Sequence, residues 1–192
     1  MQTIWITGGS SGIGFATAKE FLSNGWRVII SSSNKEKLEN AKNKLIDQKN
    51  AGSLHIVPCD ISKIKDVNDT IDYIETKLGK INIALLNASA YSPNKDQIFD
   101  INNYELLVDV NIKGTLYCIN RLKDYMRDRN DTIAIISSPL GYRGWPTAGA
   151  YGISKAAQLS LSESLYFDFK KLNINVRVIC PGFIDTEATR KN

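Results

Sequence analysis

The chain has 192 residues, 43% of them hydrophobic and 23% charged, and carries a net charge of +4. That size and balance suit one soluble globular domain spanning residues 1–192, with a sizeable core. Lys and Arg are interspersed with Asp and Glu, so no basic stripe speaks for nucleic acid as a partner, and three scattered cysteines with one histidine exclude a clustered metal site.

The chain opens at once on TIWIT (3–7), a short apolar run that reads as a buried strand. No charged-then-apolar leader precedes it, and no apolar run reaches the roughly 18 residues of a membrane span. A cytoplasmic location follows, with Cys59, Cys118 and Cys180 as reduced core thiols.

Directly after the strand comes TGGSSGIG (7–14), and then FATAKEFLSN, which has helical spacing and stops at Gly25. Gly8 can turn the chain sharply off the strand. Gly12 lets a pyrophosphate approach the backbone, and Gly14 lets the helix pack closely on the sheet. The helix N-terminus offers N–H groups to an anion, and Thr7, Ser10 and Ser11 can add hydroxyls. A tight turn with no ligand would need the same glycines, so this stretch needs support from elsewhere.

RVIIS (27–31) is the second strand, followed by SSSNKEK and a helix, NKEKLENAKNKLIDQ, with Ser33 as its cap. An acid at the end of this strand would bind a ribose and favour NAD. Ser31, Ser32 and Ser33 stand there instead, with Lys35 near in sequence, so NADP(H) is favoured and NAD(H) is the alternative. KNAGS (49–53) reads as a loop and LHIVP (54–58) as the third strand, with His55 a structural strand residue. Asp60 follows, placed either to bind an adenine amino group or to turn the chain.

SKIKDVNDTIDYIETKLG puts Ile64, Val67, Ile71, Ile74 and Leu78 on one helical face. Then come the strand INIALL (81–86), a loop SPNKDQ (92–97), a helix over roughly 102–127, the strand TIAIIS (132–137), a helix over roughly 148–172, and the strand NVRVI (175–179). Strand and helix alternating with short connections give an α/β fold with a doubly wound parallel sheet, whose ligands bind beyond the carboxyl ends of the strands.

Tyr151 and Lys155 in AYGISKAA lie four residues apart, on one helical face. A phenol is a poor base at neutral pH, and a neighbouring ammonium favours its phenolate, which suits proton exchange with a substrate oxygen. Ser138, at the end of the fifth strand, can hold that oxygen. The amide of Asn111, on the helix before it, can anchor a water in a proton path toward Lys155.

Taken together, TGGSSGIG, Asp60 in CDI, LNAS (86–89), Asn111 in VNIKG, Ser138 in IISS, YGISK and PGFIDT (181–186) are similar to the motifs of the short-chain dehydrogenase/reductase family, in order and at its spacings. The resemblance implies a Rossmann-like sheet of strand order 3-2-1-4-5-6 and an NAD(P)(H)-dependent oxidoreductase acting on a carbonyl or secondary alcohol. It implies that Tyr151 is general acid or base, that Lys155 lowers its pKa and binds the nicotinamide ribose, that Ser138 positions the carbonyl, and that Asn111 holds the relay water. Gly8, Gly12, Ile13 and Gly14 would line the pyrophosphate and ribose. Asn87 and Ala88 would flank the adenosine ribose, Asp60 and Ile61 the adenine, and Pro181, Gly182, Ile184 and Thr186 the carboxamide.

The family often has Asn and Gly where Leu86 and Ser89 stand, and NADP-using relatives often have a basic residue at Ser11 or Ser33. The seventh strand and the substrate-covering segment would follow Asn192; either they lie beyond it or this is a naturally short relative, and the former is expected. Tyr91, Tyr142, Trp145, Pro146 and Phe183 are expected to wall the substrate pocket. The two long helices are expected to pair subunits into a homodimer or homotetramer. A nucleotide-binding sensor without turnover is the alternative function; a sugar-nucleotide epimerase would need a larger substrate domain.

Overall fold

A computed structural model describes residues 1–46, 52–92 and 99–186, so most of the loops expected at 49–53 and 92–97 lies outside the described residues. Six parallel strands run β1 Thr3–Thr7, β2 Arg27–Ser31, β3 Ser53–Ile56, β4 Ile83–Leu86, β5 Thr132–Ile136 and β6 Asn175–Ile179. They form one sheet of order β3-β2-β1-β4-β5-β6. The order reverses beside β1, which pairs with β2 on one side and β4 on the other. That reversal opens a crevice above the carboxyl end of β1.

The central strands are apolar on both faces because both are covered. Ile4, Ile6, Val28 and Ile30 pack under α1 (Gly12–Ser23) and α2 (Lys35–Ile46) through Ala18, Leu22, Leu38 and Leu45. On the other face, Trp5, Ile29, Ala84 and Ile133 meet α3 (Ile64–Tyr73), α5 (Gly114–Met126) and α6 (Gly149–Lys170). Each such side chain, fully buried, contributes about 1.5–3 kcal/mol relative to exposure.

Gly25, at φ 78°, ends the chain segment after α1 as expected. The cap of α2 differs from expectation: Asn34 Oδ1 accepts the Lys37 N–H at 2.9 Å, one residue beyond Ser33. Asn34 reaches the third amide of the helix, which is what an N-cap side chain must do. Val67, Ile71 and Ile74 are buried, but Ile64 is 49% exposed, because it stands at the first position of α3, outside the packed turns. Cys59 and Cys118 are core thiols, whereas Cys180 leaves β6 at the rim and is only partly buried.

The helix expected over 102–127 is built in three parts. α4 (Ile101–Leu107) passes through a wide π-helical turn, Val108–Lys113, into α5. Asn111 sits in that turn and is fully buried. Wide turns of this kind are frequent at functional sites, although a second one, Ile74–Leu78, continues α3 away from that crevice. Among the described residues, no helix is long and apolar enough to cross a membrane.

Candidate active site

A groove of about 1040 Å³ runs across the carboxyl ends of the strands. Its floor is the glycine turn after β1. Gly8 and Gly12 have φ of 65° and 54°, the left-handed region that glycine enters without strain. Gly14 lies below the surface: a Cβ there would come within 2.5 Å of the Gly8 carbonyl and 2.6 Å of Asn87 Nδ2. α1 therefore seats directly on the turn, and it begins at Gly12 with no side-chain cap from Ser11.

Asn87 is a strut of that floor. Its Nδ2 donates to the carbonyls of Thr7 and Gly8 at 3.0 and 3.2 Å, while Thr7 Oγ1 accepts the N–H groups of Asn87 and Ala88 at 3.0 Å each. The ends of β1 and β4 are thereby locked together under the groove. The amide nitrogen of Asn87 is engaged by the protein and holds the turn, while the residue also lines the groove.

Ser10, Ser11, Ile13, Ser32, Ser33, Asp60 and Ile61 all face the groove around the turn, with Asn87 and Ala88 between. At the β2 end the cation that reaches the groove is Lys37 rather than Lys35. Asp60 Oδ1 accepts from the Ser62 N–H and hydroxyl at 3.1 and 2.7 Å. Burial alone would raise its carboxyl, but these bonds and the Lys63 ammonium bring it below the usual value. Both roles expected of Asp60 are thus compatible with its place: it turns the chain and borders the groove.

The opposite wall is made by Pro181, Gly182, Ile184 and Thr186, which fold back toward the glycine turn. Thr186 Cγ2 would lie 3.5 Å from a Cβ at Gly12. A floor of left-handed glycines, an uncapped helix start and a second wall at residues 181–186 fit an extended dinucleotide whose charged middle lies on backbone.

The reacting end lies past Ala88. Ser138 follows β5 and its Oγ accepts the Leu140 N–H at 3.2 Å, which caps a short turn, Pro139–Gly141. Ser138 and Tyr151 both line the groove, and the Ser138 hydroxyl favours the ionised form of the phenol. Ser137 Oγ donates to the Lys155 carbonyl at 2.9 Å and so ties α6 to β5. Tyr91 meets Tyr151 edge to face, with centroids 4.9 Å apart. Of the expected pocket wall, Tyr91, Trp145 and Phe183 line the groove; Tyr142 and Pro146 do not, and Tyr142 is exposed.

Lys155 stands behind Tyr151, 1% exposed. Its Nζ donates to the Ile136 carbonyl and to Gln158 Oε1, each at 3.0 Å, and lies 5.3 Å from the Tyr151 ring centroid. Burial pulls its pKa down to about 8, against the Cys180 sulfur, which favours the charged form. The expected lowering of the phenol is not found in the protein alone. Burial raises Tyr151, the Ser138 hydroxyl opposes this, and Tyr91 adds to the rise. The reason is placement: the ammonium sits over the ring and its hydrogen bonds run to Ile136 and Gln158, so it makes no direct bond to the phenol oxygen in the protein alone.

Asn111 also differs from the expected anchor of a water. Its Oδ1 accepts the Ala90 N–H at 2.7 Å, and its Nδ2 donates to the Ala90 carbonyl at 3.0 Å and to Ser154 Oγ at 2.9 Å. Its amide thus braces the loop after β4 against α6. Sequence reasoning passed over Gln158, Lys37, Arg143 and Gly9. Gln158 had a signal, since it lies at i+7 from Tyr151 and shares its face. Gly9 packs where a Cβ would fall 2.6 Å from Ile30 Cβ.

Residues 2–192 match the family described as short chain dehydrogenase. An uncharacterised oxidoreductase of Staphylococcus aureus strain MW2 is 30% identical over 185 residues, covering 96% of this chain and 78% of that protein. Among solved structures, a short chain dehydrogenase/reductase family protein superposes with a TM-score of 0.86 at 25% identity, over 99% of this chain and 77% of its own. An alcohol dehydrogenase from the archaeon Thermococcus sibiricus, complexed with 5-hydroxy-NADP, is alike in fold, with a TM-score of 0.88 at 20% identity over 96% of this chain and 77% of its own.

Proposed function

The chain belongs to the short-chain dehydrogenase family and is an oxidoreductase of that family, and we infer that it interconverts a carbonyl and a secondary alcohol with NADP(H). The observation that carries this reading is the placement of Ser138 and Tyr151 together at the wall of the groove that begins at Gly8. Pure nucleotide binding has no use for that pair.

Nicotinamide, when bound, supplies or accepts the hydride. The protein's own residues handle the rest. Gly8, Gly12 and the start of α1 hold the charged middle of the dinucleotide, and residues 181–186 close over it. Ser138 and Tyr151 point two hydroxyls at one substrate oxygen. Because burial keeps the phenol protonated at neutral pH, Tyr151 is ready to donate its proton as that oxygen gains charge in reduction. Lys155, behind the ring, supplies positive charge to the phenolate left after transfer.

NADP(H) is favoured over NAD(H) because Ser32, Ser33 and Lys37 offer two hydroxyls and a cation, with no carboxylate, at the β2 end of the groove. The archaeal alcohol dehydrogenase with its NADP derivative supports the same choice. Tyr91, Trp145 and Phe183 suit a substrate with an apolar body. Leu116 on α5, and Ile153 and Phe167 on α6, are exposed and suit pairing with a second copy.

A panel of ketones and aldehydes, scored by loss of NADPH or NADH absorbance, tests the reading. Turnover with NADPH exceeding that with NADH supports it. Nucleotide binding with no turnover on any carbonyl would move the protein to the sensor alternative.

A further inference from the structure

Tyr151, Lys155, Gln158 and Ser162 fall at i, i+4, i+7 and i+11 along α6, on one face of the helix. Lys155, Gln158 and Ser162 are buried, an unusual density of polar groups for the packed side of a helix. The geometry points to Gln158 as a positioning residue, whose amide fixes the Lys155 ammonium behind the Tyr151 ring and ties it to the wide turn that carries Asn111. This inference rests on the reading of Tyr151 and Lys155 as the proton-handling pair.

The amide can sit in only one orientation. Oε1 accepts from Lys155 Nζ at 3.0 Å; Nε2 donates to the Asn111 carbonyl and to Thr115 Oγ1, each at 2.9 Å. Thr115 Oγ1 in turn donates to the same Asn111 carbonyl at 2.7 Å. An ammonium only donates and a carbonyl only accepts, so a flipped amide would lose the bonds on both sides. Gln158 is 2% exposed, so no solvent can make up the loss.

The cation needs this partner. No carboxylate pairs with Lys155 among the described residues; its acceptors are the Ile136 carbonyl and Gln158 Oε1. The ionisable groups that face it are Tyr151 on its own helix and Cys180 after β6. β5 presents a backbone carbonyl, and the wide turn and α5 reach it only through the Gln158 amide. Gln158 is therefore the one side-chain acceptor among these contacts, and it joins α6, the turn at Asn111 and α5 in one chain of hydrogen bonds behind the reacting end. An amide does not release a proton at neutral pH, so this link holds and aligns the cation and does not conduct.

The test needs no substrate at its first step. In full-length protein labelled with [ε-13C]lysine, the Lys155 resonance is assigned with Lys155→Met and titrated in wild type, Gln158→Met and Gln158→Glu. Methionine keeps the volume and removes the acceptor, so the Lys155 midpoint should fall by about one pH unit, a tenfold loss of proton affinity. Glutamate puts a charge in the same place and should raise it by a similar amount, and it serves as the readable variant should the methionine form not fold. The pH profile of kcat/KM should shift in both variants, since a purely space-filling side chain would move neither quantity. An unmoved Lys155 midpoint in folded protein would overturn the inference, as would a shifted midpoint with an unmoved rate profile. A shifted midpoint in protein that turns over no carbonyl would support the link between Gln158 and Lys155 and refute the proposed activity instead.

Discussion

Lys155 Nζ lies over the face of the Tyr151 ring, 5.3 Å from its centroid, while its hydrogen bonds run to Ile136 and Gln158. The two groups are neighbours on α6, yet the cation does not bond the phenol. In the protein alone the phenol is thus a weak acid kept protonated by burial, and the cation a strained one kept by two neutral acceptors.

Removing the phenol hydroxyl isolates its part in proton transfer. Tyr151→Phe keeps the ring, its edge contact with Tyr91 and its place over Lys155. Carbonyl turnover should fall by roughly a hundred- to ten-thousandfold, with nucleotide affinity, measured by fluorescence titration, within about threefold of wild type. Turnover near the wild-type rate would refute the role given to Tyr151.

The buried cation makes stability depend on pH with a definite sign. Lys155 is lowered from 10.5 to about 8 by burial, so between these values the unfolded chain holds a proton that the folded chain has released. Stability rises with pH wherever the unfolded state binds more protons. The penalty is full below about pH 8 and fades by about pH 10.5. Urea denaturation of wild type and Lys155→Met should show wild type gaining about 3 kcal/mol relative to the variant across that window. A difference that stays flat from pH 7 to 10.5 would contradict the burial of a charged Lys155.

Gly14→Ala tests the seat of α1. The new Cβ would meet the Gly8 carbonyl at 2.5 Å and Asn87 Nδ2 at 2.6 Å, and neither is the loose end of a flexible side chain. The turn must shift, which should cost about 1–3 kcal/mol of stability and lower nucleotide affinity about tenfold or more. Calorimetric titration with NADPH checks this, and unchanged affinity would mean that the turn tolerates displacement.

At the other end of the sheet, Arg129 bonds Glu75 and Asp131 and donates to the Ile81 carbonyl at 2.8 Å. Both carboxylates are nearly buried, with side-chain exposures of 4% and 5%. Arg129→Ala leaves them without their cation and should destabilise the fold by about 3–5 kcal/mol. Nucleotide affinity measured well below the lowered melting temperature should stay unchanged, because Ile81 and Asp131 precede β4 and β5 and the groove lies beyond their opposite ends. Lost affinity in folded variant protein would show coupling across the sheet.

All six strands were legible because each is a short apolar run between turn residues, and β1 to β6 fall within a residue or two of the expected ranges. The glycine turn was legible because left-handed backbone and close packing leave glycine as the easy choice at Gly8, Gly12 and Gly14. The wide turn at Val108–Lys113 was not, since a helix with one extra residue in a turn keeps nearly the same hydrophobic pattern. Lys37 was missed in favour of Lys35 because nearness in sequence to the end of β2 does not say which side chain of α2 reaches the groove. The direction of the Tyr151 shift was misjudged because spacing puts two side chains on one face without saying which atom of one meets which atom of the other.

Thr186 stands against Gly12, although the two are joined only through the whole of the intervening sheet. A ligand in the groove that both residues line touches the segments after the earliest and the latest strands at once. Binding should therefore be an all-or-none reporter of assembly: a chain whose sixth strand has not docked offers half a clamp, and saturating nucleotide should raise the melting temperature of the complete sheet as a single cooperative transition.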